Sequence, residues 1–297
     1  MECLNEGKSE TRKSQAEIIS SLRQSHKLEH LLNVAKLARS TYFYHEARAS
    51  VCDKYSELKQ HIKAIFKRHK GCYGYRRITF AIRKFGIIIN HKLVMKLMQN
   101  LGLKSHVRKK KYRSYKGAIG KIADNIIKRD FSSQTPNTKW VTDVTEFNVS
   151  GEKLYLSPIM DLFNGEIIAY STSRRPTYDA VKNMLQKAIS ILKPSEKPLL
   201  HSDQGWQYQM PHYREYLKKS GLTQSMSRKG NCLDNAAMES FFAILKTECF
   251  HGKKFASISE LNRTIKEYIN YYNNDRIKAK LNGLSPVQFR TRLNLSS

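Results

Sequence analysis

A chain of 297 residues, 40% of them hydrophobic, is long enough for one large domain and one or two small ones and too apolar to be disordered throughout. No apolar run is long enough for a bilayer span, and the opening MECLNEGKSETRKSQ has no secretory apolar core. The five scattered cysteines (Cys3, Cys52, Cys72, Cys232, Cys249) suit reduced thiols in a cytoplasm, not a disulfide framework. A formal net charge of +28 calls for a polyanionic partner, nucleic acid first. Residues 1–137 hold 30 Lys/Arg against 10 Asp/Glu, and between Glu57 and Asp124 there are 19 Lys/Arg and no acid. A solvated face mixes both signs, so this one-sided stretch favours a phosphate-binding surface over a ribosomal-type structural or membrane-surface role.

In chain order, residues 1–17 read as a polar lead-in. Ile18, Ile19, Leu22, Leu28, Leu31, Leu32, Val34 and Leu37 recur at helical spacing, and Tyr42–Tyr44 suggests a further short helix. Leu58, Ile62, Ile65 and Phe66 form one amphipathic stripe, broken by Gly71 and Gly74. Tyr75, Ile78, Ala81 and Ile82 form a second, ending at Gly86. Asn90 is a good N-cap for a third, stopped by Gly102. This is a helix-turn-helix layout whose solvent faces carry Arg76, Arg77, Arg83, Lys84, Lys92 and Lys96 as candidate DNA contacts. The stretch from Lys104 to Lys121, with Arg108, Lys109, Lys110 and Lys111, is too poor in apolar residues to build a core and reads as a linker laid on the DNA backbone. The alternative is a solvated linker.

From Lys139 the texture turns to short β-runs. Trp140–Val149, Leu154–Phe163 and Glu166–Ser173 read as three strands, the last two joined by the hairpin signal Asn164-Gly165. A helix is expected over Asp179–Leu192, a buried strand over Pro198–Ser202, a helix over Tyr213–Lys219 and a strand over Leu222–Met226. Long helices follow over Asp234–Phe250 and Ile258–Tyr272. Three antiparallel strands, then helix–strand–helix–strand, then helices, is the order of an α/β fold with a mixed five-stranded sheet of RNase H-like type. The expected division is a lead-in (1–17), a small helical region (18–50), a helix-turn-helix DNA-binding domain (51–103), a basic linker (104–136) and a catalytic core with C-terminal helices (137–297).

Three carboxylates stand in apolar surroundings. Asp143 lies within WVTDVTEF, Asp203 closes LLHSD, and Glu239 lies on the helix DNAAMESFFAILK. On adjacent elements they would repel unless cations neutralise them. Oxygen donors completed by water suit Mg²⁺ or Mn²⁺, and two such ions serve an in-line phosphoryl displacement. Asp161 would be a fourth ligand or, more simply, a satisfied core group. His61, His69 and Cys72 lack a usual zinc spacing, and no P-loop indicates ATP.

Asp203 and Glu239 are separated by 35 residues, and Lys246 follows the glutamate by seven. This resembles the D…D(35)E signature of retroviral integrases and bacterial insertion-sequence transposases. The words WVTDVTEF, YLSPIMDLF, LHSDQGWQY, MSRKGNCLDNAAMESFF and YINYYNNDR look like the second-reading-frame transposases of insertion sequences, and GCYGYRRI resembles the helix-turn-helix preceding their core. The resemblance implies that Asp143, Asp203 and Glu239 hold two Mg²⁺ or Mn²⁺ ions, and that Lys246 touches the element's terminal DNA. It gives Asn235 a DNA-contacting or helix-orienting role, and makes Ser227–Asn231, with Arg228 and Lys229, a flexible loop ordered by DNA. Gly205 would permit close backbone approach, and Trp206 would stack or pack in the core.

The implied activity is end cleavage followed by 3′-OH strand transfer, without ATP or zinc. The implied partners are double-stranded DNA, further copies of the chain and an upstream-frame product, with no membrane. The alternatives are an end-binding regulator, or a catalytic half inactive without that fusion, and, further off, an RNase H-like ribonuclease.

Overall fold

In the computed structural model, which describes residues 3–49, 53–106, 123–228 and 232–294, the chain divides into two compact units, Met1–Lys63 and Ala64–Ser297. The first unit holds α1 (Cys3–Leu22), α2 (Leu28–Ala35) and α3 (Arg39–Ala49). Ala16, Ile19, Leu32, Leu37 and Tyr42 form its core. The expected polar lead-in is therefore a correction: residues 3–17 are the first turns of α1. They lack an apolar stripe but are rich in Glu, Lys, Arg and Gln, so a helix docked at its far end extends backward through them. Helix α4 (Ser56–Arg68) contains the boundary between the units.

The second unit begins with the rest of the helix-turn-helix-like region, α5 (Tyr75–Lys84) and α6 (His91–Asn100). Asn90 caps α6 as expected, its side chain accepting from the Lys92 N–H at 2.9 Å. Gly102 ends the run at φ +65°, a left-handed position that glycine takes without strain.

These helices are joined to the segment around residues 271–277 by several side-chain contacts. The Tyr73 hydroxyl donates to the Asp275 carbonyl at 3.2 Å and accepts from the Ile277 N–H at 2.8 Å. His69 Nδ1 lies 3.0 Å from the Tyr271 hydroxyl. Arg276, 2% exposed, makes a two-pronged ion pair with Glu248 at 2.6 and 2.8 Å. Arg77 joins it at 3.7 Å from Glu248 and donates to the Cys72 carbonyl, so it is a structural arginine rather than one held out to DNA. Arg83, which is exposed, donates from Nε and Nη2 to the Ile89 carbonyl.

The core sheet has six strands, not five: β1 (Lys139–Thr142), β2 (Thr145–Val149), β3 (Glu152–Asp161), β4 (Ile167–Ser173), β5 (Leu199–Ser202) and β6 (Thr223–Met226). Strand β3 pairs antiparallel with β1, β2 and β4, while β1–β5 and β5–β6 are parallel. The run expected as one strand, Trp140–Val149, breaks at Asp143–Val144. The register explains why: Thr142 faces Ile159 and Thr145 faces Leu156, so Pro158 stands opposite Asp143 with no N–H to complete the ladder.

Side chains alternate across the sheet. Trp140, Ile159 and Leu200 point to α7 (Tyr178–Ile189), α8 (Trp206–Gln209) and α9 (Pro211–Lys219). Val141, Phe147 and Leu156 point to α10 (Ala236–Leu245) and α11 (Ile258–Asn274). The single helix expected over Asp234–Phe250 is three pieces: a 3-10 turn over Cys232–Asn235, then α10, then a π turn over Lys246–Phe250.

The basic linker is partly core. Residues 107–122, with Arg108, Lys109, Lys110 and Lys111, lie outside the described residues. Beyond them, Ile127 is buried, the Ile126 N–H meets Ser225 Oγ at 3.0 Å, and the Met226 N–H meets the Asp124 carbonyl at 3.2 Å, so this segment covers the β6 edge. At the other end α12 (Pro286–Asn294) is tied back by Arg290, 2.5 Å from Asp161 and 3.0 Å from Glu166. Asp161 also accepts from the Asn137 and Phe163 N–H groups, which accounts for both its oxygens as a satisfied core group. Among the described residues no helix is long and apolar enough to cross a membrane.

Removing one partner of a buried ion pair leaves the other uncompensated, a loss of about 3–5 kcal/mol. Glu248→Ala should therefore lower the unfolding free energy by that order, measured by urea denaturation, whereas Glu146→Ala, which breaks the exposed pair with Lys153, should change it by less than about 1 kcal/mol.

Candidate active site

Asp143 follows the last residue of β1, and Asp203 the last residue of β5. In the parallel register Val141 pairs with His201, so two residues further on Asp143 and Asp203 are neighbours at the carboxyl ends of adjacent strands. Each is half-buried, and each has one oxygen fixed by a backbone donor from its own turn. The Val144 N–H reaches Asp143 Oδ1 at 2.7 Å, and the Gly205 N–H reaches Asp203 Oδ1 at 2.9 Å. Gly205 is there because of closeness: a Cβ would lie 2.6 Å from Gln207 Nε2 and 3.0 Å from Asp203 Oδ1.

Burial pushes the Asp143 carboxyl well above the usual carboxylate range, with the charge of Asp203 and, more weakly, of Glu239 adding to it. Burial also raises Asp203, against the lowering effect of the Gly205 N–H. Tyr208, wholly buried, feels the same pair: burial first, then Asp203 and Asp143, raise its hydroxyl.

Glu239 comes from the opposite layer. Asn235, 4% exposed, donates from Nδ2 to the Thr142 carbonyl at 3.3 Å, fixing the start of α10 to the residue before Asp143. Of its two expected roles this burial favours the helix-orienting one over DNA contact. Glu239, one turn later, is exposed on a groove of about 920 Å³ between α10 and the start of α5. Among the described residues no three His, Cys, Asp or Glu side chains are gathered as a preformed metal shell.

Lys246 stands where α10 passes into the π turn. Its Nζ lies 5.2 Å from the centre of the Phe147 ring. Burial lowers its pKa, while Glu146 and Asp143 oppose the shift, so it faces the site from the β1–β2 side.

The sequence did not disclose what holds the start of α10. Asp234 is fully buried, and its carboxylate accepts from Asn125 Nδ2 (2.9 Å), Arg129 Nε (3.0 Å), and the Arg228 backbone N–H (3.0 Å), Nε (2.9 Å) and Nη2 (3.0 Å). Arg228, expected on DNA, is thus paired with Asp234; Lys229 lies outside the described residues. The Asp234 carbonyl is held by His201, whose Nε2 lies 2.9 Å away, while Nδ1 meets Ser225 Oγ at 2.8 Å. Burial lowers the His201 pKa, and because a carbonyl oxygen only accepts, Nε2 is the donor to Asp234. Arg129 is 105 positions from Asp234 in no readable pattern, so only the fold brings them together. Trp206, which would stack or pack, does not pack in the core: it is 53% exposed.

A mixed sheet ending in paired carboxylates, with a helix-turn-helix-like region folded onto its flank, defines an integrase-type polynucleotidyl transferase. Residues 133–232 and 239–293 match the family described as Integrase core domain, and residues 54–111 the HTH-like domain. InsK, assigned as transposase to insertion sequence element IS150 of Escherichia coli K12, is 52% identical over 275 residues, 93% of this chain and 97% of the relative. The InsF transposase of insertion sequence IS3A, from the same organism, is 34% identical over 268 residues, 88% of this chain and 93% of the relative. The HTLV-2 integrase catalytic core domain, solved in complex with magnesium, is 20% identical and matches with a TM-score of 0.41 over 52% of this chain and 97% of that one. The chain belongs to the insertion-sequence transposases of the IS3 and IS150 type and is a DNA transposase.

The Arg228 guanidinium holds the Asp234 carboxyl well below the ordinary aspartate range. A depressed acid stabilises the fold above its unfolded value, about pH 4, and loses that contribution as pH falls toward the folded value. Asp234→Asn should cost about 1–3 kcal/mol at neutral pH. The gap from wild type should narrow as thermal unfolding is followed down from pH 5; a gap that stays constant would remove the clamp.

Proposed function

We propose that Asp143, Asp203 and Glu239 form a DDE site that cuts the ends of the element and joins them to a second DNA with a divalent metal, Mg²⁺ or Mn²⁺. The observation that carries this is the adjacency of Asp143 and Asp203 at the ends of β1 and β5, where each resists ionisation unless a cation is supplied. The donor set fits such a group: hard oxygen ligands, with one oxygen of each aspartate fixed by a backbone N–H and the other taking no hydrogen bond from the described residues. Two ions bound there would neutralise the pair and stabilise the charge that builds up in an in-line displacement at phosphorus.

The chain's own residues do the rest. Val144 and Gly205 orient the two aspartates. Asn235, His201 and Asp234 fix the root of α10, so that Glu239 needs only its flexible side chain to reach the pair from the groove. Lys246 places a positive charge beside Asp143 and would contact the terminal strand. Two displacements then occur at one place: water opens the strand and leaves a 3′-OH, and that hydroxyl attacks a second phosphodiester. The second step conserves the number and kind of phosphodiester bonds, so ATP has no part to play.

Recognition of the ends falls to the helix-turn-helix-like region, where Arg76, Lys92 and Lys96 are exposed. Phosphate contacts set the register and base-edge contacts the sequence. The reaction needs two ends and a target, which favours several copies of the chain on the DNA, alone or joined to an upstream-frame product.

The test is nicking of labelled duplex carrying the element's terminal repeats, with wild type beside Asp203→Asn. We expect end-specific nicking that needs Mg²⁺ or Mn²⁺, stops with a chelator, and falls at least about a hundredfold in the mutant. Nicking unchanged in Asp203→Asn would overturn the assignment. Binding without nicking by wild type would point instead to an end-binding regulator or to a catalytic half that requires its fused partner.

A further inference from the structure

In-line displacement puts the attacking and leaving oxygens on opposite sides of phosphorus. At a single site, the DNA that brings the 3′-OH and the DNA that is attacked must therefore arrive from different directions. The carboxylates lie at strand ends, between two helical layers. On the α10 layer, the Glu239 groove is bounded by Tyr75 and Arg76 of α5, so the helix-turn-helix-like region and the element's own end belong on that side.

The other layer carries a surface that the reaction above leaves unused. Trp206, on α8, is three residues beyond Asp203, at most about 11 Å along the chain. The next layer of α8, Tyr208, is buried in the α7–α9 core, yet Trp206 leaves 53% of its surface in water; the chain's other tryptophan, Trp140, is 0% exposed. Trp206 shares a cleft with Val144, the residue after Asp143, and with Ser173, Pro176 and Thr177 of the β4–α7 turn. Between these turn residues lie Arg174 and Arg175, both exposed. Arg174 has only a loose contact with Glu152 at 3.9 Å, which leaves its side chain 70% exposed. An open indole in a cleft whose bordering turn carries two exposed arginines, close in the chain to the paired carboxylates, combines a stacking face for a base with charges for its phosphates.

We propose that Trp206, Arg174 and Arg175 form the platform for the target DNA, with Trp206 stacking on a base beside the phosphate under attack. The assignment rests on the strand-transfer reading above, but it is a separate site on the opposite face from the groove. It also gives direction to the reaction: the element's end enters along α10 and the target along α8.

Two measurements on the full chain test it. The first compares nicking of terminal-repeat duplex with joining of pre-nicked ends to a plasmid, for Trp206→Ala, Trp206→Phe and the double variant Arg174→Ala/Arg175→Ala. We expect the ratio of joining to nicking to fall about tenfold or more in Trp206→Ala, the size of one lost base–ring stack. It should fall in the arginine pair as well, and be largely restored in Trp206→Phe, which keeps an aromatic face. The second needs no catalysis. Tryptophan emission should be quenched by a target duplex lacking the terminal repeats, and Trp206→Phe, which leaves only buried Trp140 to emit, should abolish the quenching.

Loss of nicking and joining in equal measure, with quenching by the terminal-repeat duplex alone, would assign the platform to the element's end and overturn the proposal. Unchanged joining with no quenching by any duplex would overturn it outright. If wild type fails to nick at all, the DDE reading fails, and the emission measurement still decides whether the platform binds DNA.

Discussion

Two carboxylates forced side by side at the ends of parallel strands are unstable on their own terms, and much of the surrounding structure exists to hold them there. The strands bring Asp143 and Asp203 together by register, backbone donors lock one oxygen of each, and the sheet's two apolar faces prevent either from retreating into water. The repulsion is not relieved by nearby arginines, as it is for Asp161 and Asp234, which have guanidinium partners within 3.0 Å. The contrast among the acids is the clearest electrostatic feature of the molecule. Those that build the fold are paired with guanidiniums of the chain, and the two at the strand ends are the pair for which we propose a cation from outside.

The third carboxylate depends on a different kind of control. Glu239 is exposed, and what is rigid is the root of its helix, held through Asn235 to β1, through His201 to β5 and through Asp234 to both the 123–129 segment and Arg228. A stiff anchor beneath an exposed side chain gives reach without drift.

Much of this was legible in the sequence. Period-two and period-3.6 patterns marked most elements, Asn90 and Gly102 marked the bounds of α6, and the carboxylate words marked the acidic positions. What escaped had non-local causes. The break in the first strand is set by a proline on its neighbour. The clamp on Asp234 joins residues roughly a hundred positions apart, and the buried pair of Glu248 with Arg276 looks in sequence like two ordinary surface charges. The basic residues between 57 and 124 stand out as a charge pattern, but it did not distinguish Arg76, which is exposed, from half-buried Arg77, which lies 3.7 Å from Glu248. Polar composition also hid the helix over residues 3–17, because helix propensity without an apolar stripe leaves no periodic mark.

Pro158 has a wider bearing than its place on β3 suggests. It carries no ligand and touches no expected substrate, yet by withholding one hydrogen bond it opens the neighbouring strand at the residue that must turn its carboxylate toward Asp203. The candidate site is in this sense partly made by omission. A search for functional positions that asks only which side chains can react would pass over the residue that decides where the reactive one emerges from the sheet.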